Sequence, residues 1–236
     1  MPDLSIVIPV YNEARIVEGA VTELCAQLDA RGLDYELILS ENGSKDDTVA
    51  KLEALAKARP RVRYLHSTEP NYGKALKAGI LDAKGRLVVC DEIDLCDPTF
   101  YDSALPLLDA PGGPDLVVGS KAMVGARDAR PVLRRTATVV VNGLLRAALG
   151  FKGTDTHGLK AFRRERLLPV AQACVVDRDL FASEFVIRAP RMGRSVVEIP
   201  ITLQEKRPPS IALAKRVPRV LRQIGQLVWV IRIRHR

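Results

Sequence analysis

Residues 86–94 read Arg-Leu-Val-Val-Cys-Asp-Glu-Ile-Asp, a short apolar run that passes directly into a group of acidic residues. The β-branched first half predicts a strand over 86–90, and Asp91, Glu92 and Asp94 follow the end of that strand. In an open α/β sheet, ligands bind just beyond the carboxyl ends of the strands. This segment therefore predicts both the class of the fold and the position of its site.

Short apolar runs and helical patterns alternate upstream of this segment. Apolar residues at helical spacing, such as Val17, Val21 and Leu24, predict a helix with one face against a sheet. Ser44 and Asp47 have the spacing of a capping box at the start of another helix. Repeated units of this kind are typical of an α/β fold with a mixed, mostly parallel sheet flanked by helices. The predicted strands are 4–9, 35–40, 62–66 and 86–90, and the predicted helices are 14–30, 46–58 and 74–83.

The second half of the chain has a less regular pattern. Pro208-Pro209 interrupts it, and 211–232 is then predicted as a basic amphipathic helix. The apolar face of that helix comprises Val220, Leu221, Ile224, Leu227, Val228 and Ile231. The other predicted elements are strands 115–121 and 196–203, helices 131–149 and 179–192, and a loop at 153–158.

The composition is that of a folded domain, with 47% hydrophobic and 27% charged residues in a chain of 236. It excludes a disordered, collagen-like or disulfide-stapled chain. The net charge of +8 is concentrated at the end, because nine basic and no acidic residues follow Glu205. A cationic tail favours an anionic partner. With only 5% aromatic residues to stack on bases, the favoured partner is an anionic membrane surface and not nucleic acid.

The four cysteines, Cys25, Cys90, Cys96 and Cys174, show neither zinc spacing nor a C-x-x-C pair. We expect reduced thiols and a cytoplasmic protein. The N-terminus leads directly into the first strand, without the features of a signal peptide. The longest uncharged apolar stretch near the end, 223–231, has nine residues, far below the roughly 20 that span a bilayer. The expected localisation is cytoplasmic, peripheral on the cytoplasmic face of the membrane.

The acidic residues after the fourth strand are candidates for a metal site. Asp91, Glu92 and Asp94 offer hard carboxylate oxygens, which select Mg²⁺ or Mn²⁺ in proteins. In extended backbone, Glu92 and Asp94 point to the same side of the chain. The alternative is a solvated turn, which is disfavoured because an apolar strand rarely ends in three clustered acids without a counter-ion.

Two further segments suit contacts to a nucleotide. Residues 41–44, Glu-Asn-Gly-Ser, combine an acceptor, an amide and a tight turn after the second strand. Gly73-Lys74, at the start of a predicted helix, offers backbone amides and a cation to a phosphate. Taken alone, the first segment is equally well a turn, and the second lacks the rest of a P-loop.

The order of these segments resembles the inverting family-2 glycosyltransferases of the GT-A fold. The resemblance covers residues 4–100 and rests on the segments 5–13, 41–48 and 71–79 and on the acidic residues 91–94. The second half is similar to the polyprenyl-phosphate (dolichyl-phosphate) mannosyl- and glucosyltransferases. The motifs that carry this similarity are Gly-Ser-Lys at 119–121, Arg134-Arg135, Asn142, the segments 155–162 and 183–188, and Lys-Arg-Pro-Pro-Ser at 206–210.

The resemblance implies a role for each matching position in the donor half. The family's D-x-D pair falls on Glu92 and Asp94, which would hold Mg²⁺ or Mn²⁺. Glu92 departs from the family's first aspartate. The usual Asp-Asp after the second strand is Glu41-Asn42 here, which leaves the choice between uridine and guanosine open. The residues that would line the nucleotide site are Pro9, Tyr11, Glu13, Glu41, Asn42, Lys74 and Asp91.

The acceptor that the resemblance implies is a lipid phosphate. A phosphate with a second pKa of about 6 is dianionic at pH 7 and needs little help from a general base. For Asp155, the alternative to a catalytic role is that of a turn or helix-cap residue. For Arg134 and Arg135, the alternative to phosphate binding is a solvated helix face. For His157, a satisfied polar role is favoured over that of a base. The candidate phosphate-binding residues are Lys121, Arg134, Arg135 and Arg207, and the candidate catalytic residues are Asp94, Asp155 and Arg135.

Together these features predict a metal-dependent inverting transferase that moves a hexose, with mannose from GDP-mannose favoured, to a polyprenyl phosphate. The alternatives are UDP-glucose as donor, a hydroxyl acceptor with Asp155 as base, and a non-catalytic nucleotide-sugar-binding subunit. A nucleotidyltransferase is disfavoured because no glycine-rich basic loop follows the first strand. We expect a catalytic domain at 1–205, divided at residue 100 into donor and acceptor halves. The tail, 206–236, would contact the membrane through 211–236, and a homo-oligomer stays open.

Overall fold

The computed structural model describes residues 1–95, 98–128, 132–203 and 213–233. The strands are β1 Leu4–Val10, β2 Tyr35–Glu41, β3 Val62–Leu65, β4 Leu87–Cys90, β5 Leu116–Ser120, β6 Arg127–Asp128, β7 Lys160–Arg163, β8 Val196–Pro200 and β9 Thr202–Leu203. The helices are α1 Val17–Ala30, α2 Thr48–Ala58, α3 Tyr72–Asp82, α4 Pro98–Asp109, α5 Val132–Leu149, α6 Arg164–Ala173, α7 Phe181–Arg191 and α8 Leu213–Val228, which continues into a π-helical turn, Trp229–Ile233.

Seven of these strands form one mixed sheet in the order β3-β2-β1-β4-β7-β5-β8. β1 pairs in parallel with β2 and β4, and β5 pairs in parallel with β8. β7 alone runs antiparallel to its neighbours β4 and β5. The predicted mixed, mostly parallel sheet is confirmed. Because β1, β2 and β4 are parallel, their carboxyl ends lie along the same edge of the sheet.

The sheet is covered on both faces, which makes a three-layer arrangement. Along β1, Val7 faces a core built with α3, α6 and α7, whereas Ile6 and Ile8 face a core built with α1, α2 and α4. Both faces of β1 are therefore apolar, as expected for a strand in the middle of a parallel sheet. The first three predicted strands and helices agree with the structure to within a few residues.

Four elements were not predicted from the sequence, namely α4, β6, β7 and α6. The prediction of a capping box from Ser44 and Asp47 at the start of α2 was wrong, because Ser44 Oγ accepts a hydrogen bond from the Asn12 amide at 2.9 Å. Asp46 takes its place and accepts from the Thr48 amide at 3.1 Å. The serine thus connects two loops at the edge of the sheet instead of closing a helix.

α3 packs unusually close to the sheet, and glycine makes this possible. A Cβ atom on Gly79 would lie 2.3 Å from Val7 Cγ1 and 2.6 Å from Ser40 Oγ. Any side chain there would push the helix away from β1 and β2. Gly79 therefore sets the distance between α3 and the neighbouring strands β1 and β2.

α8 packs against the domain through most of the apolar face predicted for it. Ile224, Leu227 and Ile231 are buried in the same core as α3 and α7. Leu221 lies outside this contact and is 52% exposed. The part of the apolar face that is buried in the core is not available to lipid, and a membrane contact through 211–236 stays a prediction. No helix in the described part of the chain is long and apolar enough to cross a bilayer.

Polar contacts add to this docking of α8. Gln223 is buried and accepts a hydrogen bond from the Leu180 amide at 3.0 Å, and Arg219 forms an ion pair with Asp179. Lys206 and Arg207, and with them the expected boundary between catalytic domain and tail, lie outside the described residues.

The thiols Cys25, Cys90 and Cys174 are buried and free. Burial raises the pKa of the Cys90 thiol to about 12, so this group is protonated at neutral pH. The three thiols behave as small apolar groups of the core. Cys96 lies outside the described residues.

Candidate active site

The loops after β1 and β2 are joined by hydrogen bonds at the carboxyl edge of the sheet. Asn12 has a left-handed backbone with φ of 54°, and its Oδ1 accepts from the Lys45 amide at 2.8 Å. The Asn42 amide donates to the Val10 carbonyl at 2.9 Å. These contacts bring the predicted residues Tyr11 and Asn42 to one edge of the sheet.

Pro9, Tyr11 and Glu13 form one side of this region. Pro9 lies opposite Ser40 of β2, one position before the end of the β1–β2 pairing, and Tyr11 is half-buried. Glu13 is buried, and its amide donates to Thr48 Oγ1 at 2.8 Å. The backbone of this predicted nucleotide segment is therefore tied to the first turn of α2.

Glu41 is the last residue of β2 and lies buried beside the loops that follow β1 and β2. It is 1% exposed, and its carboxylate accepts from His66 Nδ1 at 2.6 Å and from the Ser44 amide at 2.5 Å. Burial alone would raise the pKa of Glu41, but these hydrogen bonds outweigh it and lower the pKa below its usual value. Glu41 is therefore an ionised group held in one orientation. Its partner His66, at 48% exposure, is the more accessible of the two side chains.

Asn71 connects this region to α3 and to the chain after α6. Its amide donates to Asn42 Oδ1, and its own Oδ1 accepts from the amides of Lys74 at 3.0 Å and Arg178 at 2.8 Å. A Cβ on Gly73 would lie 2.5 Å from the Arg178 nitrogen, so only glycine allows the two segments to approach this closely. The amino end of α3 is thus capped and packed against a second loop.

Lys74 projects from this helix terminus with 55% of its side chain exposed. Its ammonium group lies 3.1 Å from Glu69 Oε2, and Glu69 also binds Arg178 at 2.7 Å. A cation beside the positive end of a helix suits an anionic group, and the role predicted for Lys74 near a diphosphate stays a prediction.

Asp91 differs from the two acids that follow it. It is 2% exposed, Tyr101 Oη donates to its Oδ2 at 2.6 Å, and the Glu92 amide donates to its Oδ1 at 2.7 Å. Both carboxylate oxygens are therefore engaged within the protein. The geometry gives Asp91 the task of fixing the turn after β4, and a nucleotide contact for it stays a prediction.

Glu92 and Asp94 are half-buried in that turn. Burial and the neighbouring Asp94 raise the pKa of Glu92 to about 7, and the cations of Lys121 and Lys160 oppose the shift. Two mutually repelling carboxylates with hard oxygens fit a divalent cation such as Mg²⁺ or Mn²⁺. No group of three or more His, Cys, Asp or Glu side chains within the described ranges is arranged to hold a metal ion.

Lys121 and Asp155 form a buried ion pair next to these acids. Lys121 Nζ lies 2.8 Å from Asp155 Oδ2, and the two side chains are 7% and 0% exposed. The other oxygen, Oδ1, accepts from the His157 amide at 2.9 Å. Asp155 is thus enclosed and directed at Lys121, which suits a residue that orients a cation better than one that contacts a substrate.

Lys160 was not singled out from the sequence, yet it is 3% exposed and lies at the centre of the site. In the sheet it stands opposite Cys90, immediately before the acidic residues, and its ammonium donates to the Gly158 carbonyl at 2.7 Å. Burial lowers its pKa, and the Asp155 and Glu92 charges oppose the shift. A lysine inside an otherwise apolar run was the available signal.

His157 has a structural environment. Its Nε2 donates to the Asp179 carbonyl at 3.0 Å, and its Nδ1 lies 3.1 Å from Thr156 Oγ1. His157 as a whole is exposed, and partial desolvation of its ring together with the Lys121 charge lowers its pKa. The imidazole is therefore neutral at pH 7 with both nitrogens hydrogen-bonded, as expected for a satisfied polar histidine.

Of the predicted arginines, the structure describes the side chain of one. Arg135 is exposed on α5. For Arg134 the structure describes its place in the helix and not its side chain, and Arg207 lies outside the described residues. Their contact with an acceptor phosphate stays a prediction.

The Lys121–Asp155 pair predicts a pH dependence of stability. Burial would raise the pKa of Asp155, but Lys121 and the His157 amide lower it to about 2. A carboxyl whose folded pKa lies below its unfolded value of about 3.9 stabilises the fold above that value and loses the effect as the pH falls. We expect a contribution of about 2 kcal/mol at pH 7, of which about half is lost by pH 3.

Urea denaturation of the wild type and of Asp155→Asn between pH 7 and pH 3 measures this contribution. The difference in unfolding free energy between the two proteins should narrow as the pH falls. A difference that stays constant over this range would show that Asp155 has an ordinary pKa.

Comparison with known proteins places this geometry in context. Residues 5–168 match the model of the family described as glycosyl transferase family 2. Glycosyltransferase AglD of Haloferax volcanii is 28% identical over 238 residues, which cover 99% of this chain and 38% of that protein. Polyprenol monophosphomannose synthase of Mycolicibacterium smegmatis is 31% identical over 85% of this chain and 77% of its own length. The chain therefore spans much less than two thirds of the first of these relatives.

Among solved structures, glucosyl-3-phosphoglycerate synthase from Mycobacterium tuberculosis superposes with a TM-score of 0.68 at 22% identity. The match covers 97% of this chain and 78% of that one. That enzyme was crystallised with Mn²⁺, uridine diphosphate and phosphoglyceric acid. At this identity the likeness establishes a common fold, and the GT-A fold expected from the sequence is confirmed.

Proposed function

The chain belongs to glycosyl transferase family 2, and on that premise we propose that it transfers a hexose from a nucleoside-diphosphate sugar to a polyprenyl phosphate. The observation that carries this proposal is the pairing of opposite charges at one edge of the sheet. Glu92 and Asp94 suit a cation that binds a diphosphate, and the buried Lys121–Asp155 pair lies beside them. Donor and acceptor phosphates would each meet a group of the charge they require.

The reaction is a single displacement at the anomeric carbon. An acceptor phosphate oxygen forms a bond to that carbon while the bond to the leaving nucleoside diphosphate breaks, and the leaving group takes the electron pair. The configuration is thereby inverted. Because the acceptor phosphate is already dianionic near pH 7, no side chain has to remove a proton. The protein's contribution is orientation and charge neutralisation.

The described residues divide these tasks. Glu41 and Asn42 orient the loop that would face the base and ribose, and Lys74 offers a cation to the diphosphate. Lys121, oriented by Asp155, would meet the incoming phosphate. A divalent cation at Glu92 and Asp94 would supply neutralisation of the departing diphosphate when bound.

For the donor we propose GDP-mannose. The support comes from the relative in Mycolicibacterium smegmatis, whose name describes a mannose transfer to polyprenol phosphate. The Glu41-Asn42 pair carries one negative charge where the family's usual Asp-Asp pair carries two, which would change the charge around the base of the nucleotide donor. UDP-glucose is the competing donor.

Incubation with radiolabelled GDP-mannose or UDP-glucose, a polyprenyl phosphate and Mn²⁺ tests the proposal. With GDP-mannose we expect label in the organic phase, together with release of the nucleoside diphosphate. Labelled product from UDP-glucose alone would overturn the mannose assignment. No lipid product with either donor would overturn the lipid-phosphate acceptor, and a soluble sugar acceptor would then be sought.

We also propose that the protein binds an anionic membrane at its cytoplasmic face, through α5 and the outer side of α8. Four apolar residues of α5 are exposed although α5 belongs to the folded domain: Val132, Val139, Val140 and Leu144. Trp229, next to α8, is 51% exposed. Neither 132–149 nor 213–233 contains an acidic residue. An exposed apolar strip with basic neighbours suits the interface of an anionic leaflet, and the free buried thiols fit a reducing compartment.

Co-sedimentation with vesicles checks this membrane contact. Wild-type protein should sediment with vesicles that contain phosphatidylglycerol, and the double variant Val139→Asp/Val140→Asp should bind at least about tenfold more weakly. Leu81→Asp, which adds a charge at an exposed apolar position of α3, is the matched control and should bind like wild type. Equal binding of all three proteins would exclude α5 as the contact.

A further inference from the structure

The loop 153–158, which carries Asp155, is anchored at Thr154 by three different elements. From β5, Ser120 Oγ lies 2.6 Å from Thr154 Oγ1. From α5, Asn142 Nδ2 donates to the Thr154 carbonyl at 2.7 Å. The third anchor is Glu198 of β8, which accepts from the Thr154 amide at 2.8 Å and from its hydroxyl at 2.7 Å.

Glu198 makes the largest number of these contacts. Its Oε1 also accepts from the Asp155 amide at 3.2 Å, so one carboxylate binds two successive backbone amides and a hydroxyl. A carboxylate in such a cradle makes charge-assisted hydrogen bonds, which are stronger than those between neutral groups. Glu198 therefore fixes the backbone on which the Asp155 side chain is mounted.

The chain of contacts runs from this anchor to the site. Glu198 holds the amides of Thr154 and Asp155, and Asp155 Oδ2 holds Lys121 Nζ at 2.8 Å and accepts from the Lys121 amide at 3.3 Å. Lys121 directly follows Ser120, which bonds to Thr154. The contacts therefore close a ring around the ion pair, and a shift of the 153–158 loop would move both members of the pair.

We propose that Glu198 is a positioning residue of the transferase: through Thr154 and the Asp155 backbone it holds the Lys121 ammonium where the acceptor phosphate arrives. The statement that Lys121 meets an acceptor phosphate rests on the proposed function. The structural coupling between Glu198 and Lys121 does not depend on it. Misplacement of a charged group by about 1 Å costs on the order of a hundredfold in rate, which is the scale of effect expected here.

Glu198→Gln is the principal variant, because it keeps the size of the side chain and replaces one accepting oxygen by an NH₂ group that faces donors. The matched control is Asp115→Asn. Asp115 lies just before β5, at the end of that strand away from Lys121. Its carboxylate accepts from the Ser195 amide, just before β8, at 3.0 Å and pairs with Arg166 at 3.0 Å. Both variants remove a carboxylate that accepts a hydrogen bond from a backbone amide, and only Glu198 lies near Lys121.

We expect Glu198→Gln to lower kcat by about tenfold to a hundredfold while the donor KM changes less than about threefold. Asp115→Asn should retain the wild-type kcat even where its melting temperature falls. Thr154→Val should resemble Glu198→Gln, and Thr154→Ser, which keeps the hydroxyl, should recover most of the activity. Wild-type kcat in Glu198→Gln, or equal losses in Glu198→Gln and Asp115→Asn, would overturn the positioning role.

A second readout does not require transfer. The rate of acetylation of Lys121 by acetic anhydride, followed by mass spectrometry, reports how firmly its ammonium is held. We expect this rate to rise severalfold in Glu198→Gln and to stay unchanged in Asp115→Asn. If the wild type transfers no sugar but Lys121 is labelled faster in Glu198→Gln, the proposed function is overturned and the coupling between Glu198 and Lys121 is supported. Unchanged labelling would overturn the coupling itself.

Discussion

Asp94→Asn is expected to lower kcat for sugar transfer by about 10²–10³-fold with little change in stability. Asp94 and Glu92 are half-buried at the end of β4, and their repulsion contributes to the raised pKa of Glu92. Removing one charge relieves that repulsion in the empty protein, so the fold should not suffer. The same change halves the negative charge that would hold a divalent cation, so the loss should appear in turnover.

Steady-state kinetics with Mn²⁺ titration checks this expectation, and isothermal titration of Mn²⁺ in the presence of a nucleoside diphosphate gives a readout independent of turnover. Both measurements should show a lower apparent metal affinity for Asp94→Asn. Asp102→Asn, which removes an exposed carboxylate on α4 that pairs with Arg31, is the control and should behave like wild type. Wild-type kcat and Mn²⁺ affinity in Asp94→Asn would show that the metal is held elsewhere.

The second large effect concerns the Lys121–Asp155 pair. Lys121→Met or Asp155→Leu alone should lower the free energy of unfolding by about 3–5 kcal/mol, because each leaves a buried charge without its partner. The two side chains are 7% and 0% exposed, so solvent cannot replace the missing group without opening the site. The double variant should be more stable than either single variant, since it leaves no unpaired charge of this pair.

Urea denaturation of the four proteins forms a double-mutant cycle that measures the coupling. The double variant also separates structure from function, because we expect it to fold and yet to transfer sugar at least about a hundredfold more slowly than wild type. Full activity in a folded double variant would remove Lys121 from the acceptor site. Additive losses of stability would show that the pair contributes no mutual stabilisation.

Much of the structure of residues 1–100 was predictable from the sequence. β1, β2 and β4 are short apolar runs buried on both faces, and the helices between them have regular apolar spacing. Such local periodicity does not depend on the rest of the chain. It also located the candidate residues, because polar side chains directly after buried strands must lie at the carboxyl edge of a parallel sheet.

The structure after residue 100 was less predictable for physical reasons. β7 is four residues long and includes Lys160 and Arg163, so it lacks the apolar alternation that indicates a strand. It becomes a strand because it fits antiparallel between β4 and β5, which is a property of the assembled sheet. Lys160 is buried for the same reason, and no local pattern indicates that Asp155 and Glu92 lie near it.

The partners of the charged groups were likewise decided by tertiary structure. Asp91 binds Tyr101 of an unpredicted helix, and Thr154 binds Glu198 across 44 positions of the chain. A residue type and its spacing show that a carboxylate is present, whereas its partner depends on which strands become neighbours. The apolar face of α8 is a further example, since its spacing suits a membrane and a protein core equally well and packing decided for the core.

The family, the layered α/β fold and the edge of the sheet that carries the candidate site were all predictable, because each follows from local sequence patterns and their order. How deeply each carboxylate in that site is buried became clear only in the folded protein. Asp91 and Asp155 are 2% and 0% exposed, and Glu92 and Asp94 are half-buried at the end of β4. The physical reason is that burial and hydrogen bonding depend on contacts between distant segments, and these exist only once the sheet has formed.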